Sequence, residues 1–331
     1  MGFLFLLFYS LLGNSQPTGR YFVRFADKHN SGFSLDDPLK FLSLRAIERR
    51  IKQNIDFDFY DLPVSEYYVN IIKSEGIPVT NKSKWLNGIV TGDISSTQAE
   101  WINQQSFVHE IKLIKPSIPE FKQQVPPAIQ EEDTLNTYYG LGQRQITINH
   151  GEFLHELGYL GNGMQIAVID AGFSNVDTLR PFRELWERGR ILGTRDFVDP
   201  SSDLLFRGHG HGTLVLSIMA VNIPGVFVGT APGASYWLLR SEDTGSEYPI
   251  EEYFWAEAAE FADSAGADII NSSLGYSTFT DSIFNHTYQD MNGNTTAVTT
   301  AADIASSKGM LVVVSAGNLG DDPWKYIFFS C

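Results

Sequence analysis

Two hydrophobic rhythms divide this 331-residue chain. Up to about Lys115 the apolar residues fall in short, mixed groups. Tyr21-Phe22-Val23-Arg24-Phe25 reads as a strand, Leu42 to Lys52 has the spacing of a helix, and Ser65 to Ser74 that of a second. Strands are expected at Ile77 to Thr80 and Trp85 to Thr91, with Asn87-Gly88 as a turn candidate. A helix over Gln98 to Gln105 and a closing strand over Val108 to Ile114 complete a small α+β unit, residues 20–115. The segment 116–133 then mixes prolines with Gln and Glu and shows no sustained apolar period, which reads as a linker open to proteolysis.

Residues 134–331 form the second unit, and from Gly163 onward apolar strands alternate with amphipathic helices. Strands are expected at Met164 to Ile169, Ala234 to Leu239, Ala267 to Ile270 and Met310 to Val314. Helices are expected at His211 to Ala220, Ile250 to Ser264 and Thr296 to Lys308. Such alternation predicts an α/β fold with a doubly wound parallel sheet, whose ligands gather at the carboxyl ends of the strands. Asp170, Ser272-Ser273 and Gly317-Asn318 all fall at such ends. In the next helix, Val215, Ile218 and Met219 are placed to face the core.

Charge sharpens the division. The first 150 residues hold 15 Lys+Arg against 16 Asp+Glu, whereas the remainder hold 9 against 23. A field that acidic repels nucleic acid and anionic lipid, so neither is expected as a partner. The single cysteine, Cys331, leaves no intrachain disulfide, no Cys-x-x-Cys metal site and no plausible thiol nucleophile. Residues 1–15, with an apolar run from Phe3 to Leu12 and small residues at Gly13-Asn14-Ser15, are expected to be a signal peptide. The run lacks a preceding Lys or Arg and is too short to span a bilayer. Export and a cysteine-poor composition together point to a secreted bacterial protein, expected to be monomeric.

The candidate chemistry begins at Asp170, where an apolar strand leaves the sheet. A lone aspartate there also serves as a cap, turn residue or metal ligand, so its meaning depends on company. Gly208-His209-Gly210-His211-Gly212-Thr213-Leu214-Val215 supplies it. His211 opens a helix between glycines that permit close backbone approach. The helix dipole disfavours its imidazolium and a carboxylate partner favours it, a balance suited to a base near neutral pH. His209 also allows a His-x-His metal pair, but no His-Glu-x-x-His or third ligand at fixed spacing accompanies it.

On these residues the chain resembles the subtilisin-like serine peptidases, over roughly 134–320. Their Asp…His…Ser order is a documented pattern rather than something spacing alone yields. The resemblance implies that Asp170 in Ile-Asp-Ala-Gly is the family's aspartate and His211 in His-Gly-Thr-x-Val its histidine. Leu214 stands where many members carry a second, non-catalytic histidine. Gly229-Thr230-Ala231-Pro232-Gly233-Ala234 is similar to the family's Gly-x-Ala-Pro turn. Ser273-Leu274-Gly275 looks like the strand that binds extended substrate, and Asn318 in Ser-Ala-Gly-Asn like the donor to the developing oxyanion.

The resemblance further implies that the amino-terminal unit is an intramolecular propeptide, and that protein or peptide substrates are the partners. Arg45, Arg49, Arg50 and Lys52 either steer its docking or form a solvated basic face. No cofactor is expected for the chemistry. Calcium is possible as a structural ion, since Asp290-Met291-Asn292-Gly293-Asn294 alternates oxygen donors but lacks the downstream bidentate glutamate. The family's Gly-Thr-Ser-x-Ala-x-Pro nucleophile motif does not follow Asn318 within the 331 residues. Only Ser330 does, without the preceding Gly-Thr. The expectation is therefore a serine endopeptidase whose nucleophile is missing from this chain, inactive as it stands. The alternative is a catalytically dead protein that keeps the cleft to bind peptides.

Overall fold

A computed structural model describes residues 17–117, 137–318 and 324. The proposed signal peptide, nearly all of the linker, Ser330 and Cys331 lie outside the described residues.

The amino-terminal unit runs β1 (Gly19–Phe25), α1 (Leu44–Gln53), α2 (Glu66–Ser74), β2 (Val79–Ser83), β3 (Gly88–Thr91), α3 (Ser96–Asn103) and β4 (Val108–Pro116). Its strands form one antiparallel sheet in the order β2-β3-β1-β4. The period of two along β1 sorts its side chains to opposite faces. Tyr21, Val23 and Phe25 bury with Val69 and Ile72 of α2 and Ile102 of α3. Phe22, Val90 and Ile114 emerge on the other face, which packs onto the second unit.

That second unit contains α4 (Gln143–Thr147), α5 (Gly151–Glu156), β5 (Gln165–Asp170), α6 (Arg183–Glu187), β6 (Ile191–Asp196), α7 (Leu204–Arg207) and α8 (His211–Ala220). It continues through β7 (Asn222–Ile223), β8 (Phe227–Val228), β9 (Ser235–Arg240), α9 (Ile250–Ala265), β10 (Ile269–Ser272), α10 (Ala297–Ser307) and β11 (Leu311–Val314). Five strands form a wholly parallel sheet in the order β11-β10-β5-β9-β6. One face is covered by α9 and α10, the other by α8 and the Phe173–Leu205 layer. The β5 run Ile166 to Asp170 is buried on both sides, as a strand in a doubly covered parallel sheet must be.

The two units meet over α9. Phe22 stacks on Tyr253 with ring centroids 4.3 Å apart, and Trp85 joins the same buried cluster. Around this apolar centre lies an ion network: Asp263 of α9 pairs with Arg49 and Arg50 of α1, and Arg50 also reaches Asp61 at 2.6 Å. Lys308 closes it on Asp61 at 3.0 Å. Glu260, one turn before Asp263, accepts from the Ser83 hydroxyl and the Lys84 and Trp85 amides. Of the four basic residues expected to steer docking, Arg45, Arg49 and Arg50 contact the second unit, while Lys52 is exposed.

Three sequence expectations shift. Trp85 to Asn87 is a turn, because Asn87 adopts a left-handed φ of 51° and β3 starts only at Gly88. Strand β6 goes unforeseen, since Ile-Leu-Gly-Thr-Arg-Asp at a sheet edge carries little apolar pattern. On α8, Val215 and Met219 pack on the core as expected, joined by Gly212, Leu216 and Ala220 among the buried positions, whereas Ile218 is exposed.

Candidate active site

Strand order puts the site together. The register aligns Asp170 with Arg240, Ile169 with Ser272, and Ser272 with Val314. The exits of β9, β5, β10 and β11 thus stand side by side at one edge, about 4.8 Å per strand. Segments that are 42, 70 and 103 residues apart along the chain become neighbours.

Asp170 ends β5 with no solvent exposure. Its Oδ1 accepts from the Ala171 amide at 2.7 Å and meets His211 Nδ1 at 2.8 Å, while Oδ2 has no partner among the described residues. A buried carboxylate on Nδ1 fixes the ring and leaves Nε2 to accept a proton. The His211 side chain is 41% exposed, so that nitrogen has access to an incoming group. The imidazole pKa is raised, first by the hydrogen bond to Asp170, against partial burial, with the charges of Asp170 and Glu242 adding to it.

Glycines make this approach possible. A Cβ on Gly212 would lie 2.6 Å from the Gly172 carbonyl and 3.0 Å from the Asp170 Cβ. One on Gly172, at φ +149°, would lie 2.7 Å from the His209 carbonyl. Thr213 then donates to the Ser174 carbonyl at 2.9 Å, and Ser174 to that of His209 at 3.2 Å. The start of α8 is stitched to the turn after β5.

Ser273, Leu274 and Gly275 follow directly on β10. Leu274 leans on the α9–α10 core, and the buried Ser272 hydroxyl accepts from the Trp255 indole at 2.9 Å. The Ser315 amide donates to the Ser272 carbonyl at 3.1 Å, which carries the next segment along the same edge. Gly317 turns at φ +84° and presents the exposed Asn318 two strands from Asp170. All the expected site residues therefore share one edge, with a direct bond only between Asp170 and His211.

Sequence reading missed the exit of β9, although the same strand-end rule applies there. The Ser241 amide donates to the Asp170 carbonyl at 3.1 Å. Glu242 is buried behind it and accepts from Tyr276 and Ser241, and its carboxyl is pushed up to about 7, chiefly by burial.

Metal ligation divides three ways. The Nδ1 atoms of the His-x-His pair are committed, one to the His211 amide and one to Asp170. In the Asp290–Asn294 loop, Asp290 accepts from Thr287, and Asn292 Oδ1 accepts from Asn294 and Thr295. Asp290 Oδ2 and Asn292 Oδ1 thus serve the turn itself. Among the described residues, only Glu242, Glu247 and Glu251 bring acidic oxygens within 4.8 Å of one another.

Comparison with known proteins agrees with this geometry. Residues 161–326 match the family described as the Subtilase family, and residues 20–130 match the peptidase S8 propeptide domain of Bacteroidota. Subtilisin E of Bacillus subtilis is 30% identical over 232 residues, 67% of this chain and 51% of its own length. The minor extracellular protease Vpr of the same species is 32% identical over 179 residues, 51% of this chain and 19% of its own. The chain spans about half the length of the subtilisins it matches. The crystal structure of an epidermin leader peptide processing serine protease from Staphylococcus aureus shares the fold, with TM-score 0.54 and 15% identity over 92% of this chain and 61% of its own. No helix among the described residues is long and apolar enough to cross a membrane. The chain belongs to the subtilase family, with a peptidase S8 propeptide domain ahead of its subtilase domain.

Proposed function

We propose that this protein is an endopeptidase that hydrolyses peptide bonds by an Asp-His-Ser relay, with Asp170 as the orienting carboxylate and His211 as the general base. The observation that carries the reading is the 2.8 Å bond from His211 Nδ1 to the buried Asp170, formed across two elements that glycines allow to touch. His211 Nε2 takes the proton of a serine hydroxyl as it attacks the scissile carbonyl, then returns it to the leaving amine. The Asn318 amide donates to the oxyanion of the tetrahedral intermediate, a contact worth about 10²–10³ in rate in this family. Ser273, Leu274 and Gly275 offer backbone groups to extended substrate. A hydroxyl, an imidazole and amide donors complete this chemistry without a cofactor.

The nucleophile motif Gly-Thr-Ser-x-Ala-x-Pro is not found among these 331 residues. A peptide-binding protein without catalysis would have no use for the Asp170–His211 bond, which favours the enzymatic reading. The amino-terminal unit acts as an intramolecular propeptide, and residues 1–15 direct export from a bacterial cell. Reading the source DNA beyond codon 331 is the decisive observation. A continuing frame with Gly-Thr-Ser-x-Ala-x-Pro is expected, and the enzyme carried through that serine should degrade casein. A continuing frame without the motif, or an intact protein that leaves casein uncut, would end the peptidase reading.

A further inference from the structure

The loop that leaves β9 beside Asp170 is held with unusual firmness for an acidic surface segment. Glu251, at the start of α9 and 1% exposed, accepts from the Asp243 amide at 2.7 Å with one oxygen and from the Tyr248 amide at 3.2 Å with the other. The Ser246 amide closes a turn on the Asp243 carbonyl at 3.0 Å, and Glu247 is pinned through Thr280. One carboxylate therefore clamps both ends of Asp243–Tyr248, and Ser241 ties the loop to the Asp170 backbone.

This clamped loop already holds a cation. Lys115, on the last strand of the amino-terminal unit, donates to Asp243 Oδ2 at 3.1 Å and to Ser246 Oγ at 3.0 Å, with its ammonium 5.9 Å from the centre of the Tyr248 ring. Only 15% of the Lys115 side chain is exposed. Behind these contacts stand the three close carboxyls of Glu242, Glu247 and Glu251. Burial raises the pKa of all three, with the neighbouring carboxyls adding to it at Glu247 and Glu251, so the Asp243 carboxylate supplies the charge that meets Lys115.

Resting on the peptidase reading, we propose that Asp243, Ser246 and Tyr248 form a subsite for a lysine or arginine side chain of the substrate, which Lys115 fills while the amino-terminal unit remains docked. Asp243 and the Ser246 hydroxyl match the donors of an ammonium or guanidinium, and the Tyr248 ring face receives its stem and charge. Asp243 lies three residues beyond Arg240, the strand position paired with Asp170, so a side chain bound there belongs to a residue near the scissile bond. Glu251 is a positioning residue, because it touches the loop amides and not the cation.

The test uses the enzyme carried through its serine, freed of its amino-terminal unit, and fluorogenic peptides in which one lysine is walked through an otherwise uncharged frame. One register should raise kcat/KM about tenfold over its alanine counterpart, the size of one charge-assisted hydrogen-bonded contact. Asp243→Asn should bring that lysine-to-alanine ratio to about one, and Asp243→Lys should transfer the preference to glutamate at the same register. Cleavage without any lysine preference, or a preference unchanged in Asp243→Asn, overturns the subsite and leaves the peptidase reading standing. If no peptide of any composition is cut, the peptidase reading fails and the subsite falls with it.

Discussion

Asp170 can be changed to asparagine with almost no change of shape, which isolates what its charge does. The amide cannot hold His211 in the same tautomer, so kcat of the complete enzyme should fall by about 10⁴, the loss typical of triad aspartates. The acid limb of the pH–rate profile should move as well. The working form of His211 is neutral, and its pKa is raised chiefly by the bond to Asp170, so activity falls as pH drops through that raised value. Without the carboxylate the pKa falls and the limb shifts to lower pH, which kcat/KM against pH will read directly. Gly212→Ala tests position instead of charge. Its Cβ would press on the Gly172 carbonyl, lift α8 from β5 and lower kcat about 10²-fold, with KM little altered. At this scale the sequence was informative where a side chain acts through a motif, as Asp170 and His211 do. It was silent on Asp170 Oδ2, Glu242 and the Gly172–His209 contact, which depend on which strand ends become neighbours.

Helices and strands are held to one another by contacts of very different worth. Asp263 of α9 faces Arg49 and Arg50 of α1 with all three side chains at most 5% exposed. Asp263→Ala would leave Arg49 without its carboxylate and Arg50 with Asp61 alone, and urea unfolding should show a loss of about 3–5 kcal/mol. Arg45→Ala, which breaks an ion pair 38% exposed on the arginine side, should cost about 1 kcal/mol or less. Equal effects would contradict this picture of the interface. Both arginines lie in a segment recognisable as a helix, capped by Ser43. Their partner lies 213 positions or more away, so periodicity could not tell a solvated face from a buried one. The strands β5, β9, β10 and β11 were legible because each contains a run of apolar residues. Edge strand β6, buried only at Ile191 and Asp196 and exposed at Thr194 and Arg195, was not.

Across the whole molecule, the near-neutral amino-terminal unit covers α9 of an acidic peptidase unit through one apolar sheet face ringed by charge. The division was visible in the charge count and in the change of hydrophobic rhythm at about Gly163. The docked arrangement was not, because Phe22 and Val90 read equally well as interior residues of their own sheet. Docking places Lys115 on the loop that leaves β9, three residues beyond the strand position paired with Asp170. The central claim is the proposed relay, in which Asp170 orients His211 and His211 activates a serine nucleophile. A fluorophosphonate probe measures this most directly. The enzyme carried through its serine should be labelled at that residue, its His211→Ala variant labelled at least 10³-fold more slowly, and the 331-residue chain left unlabelled. Labelling of the 331-residue chain, or labelling that survives His211→Ala unchanged, would contradict the account.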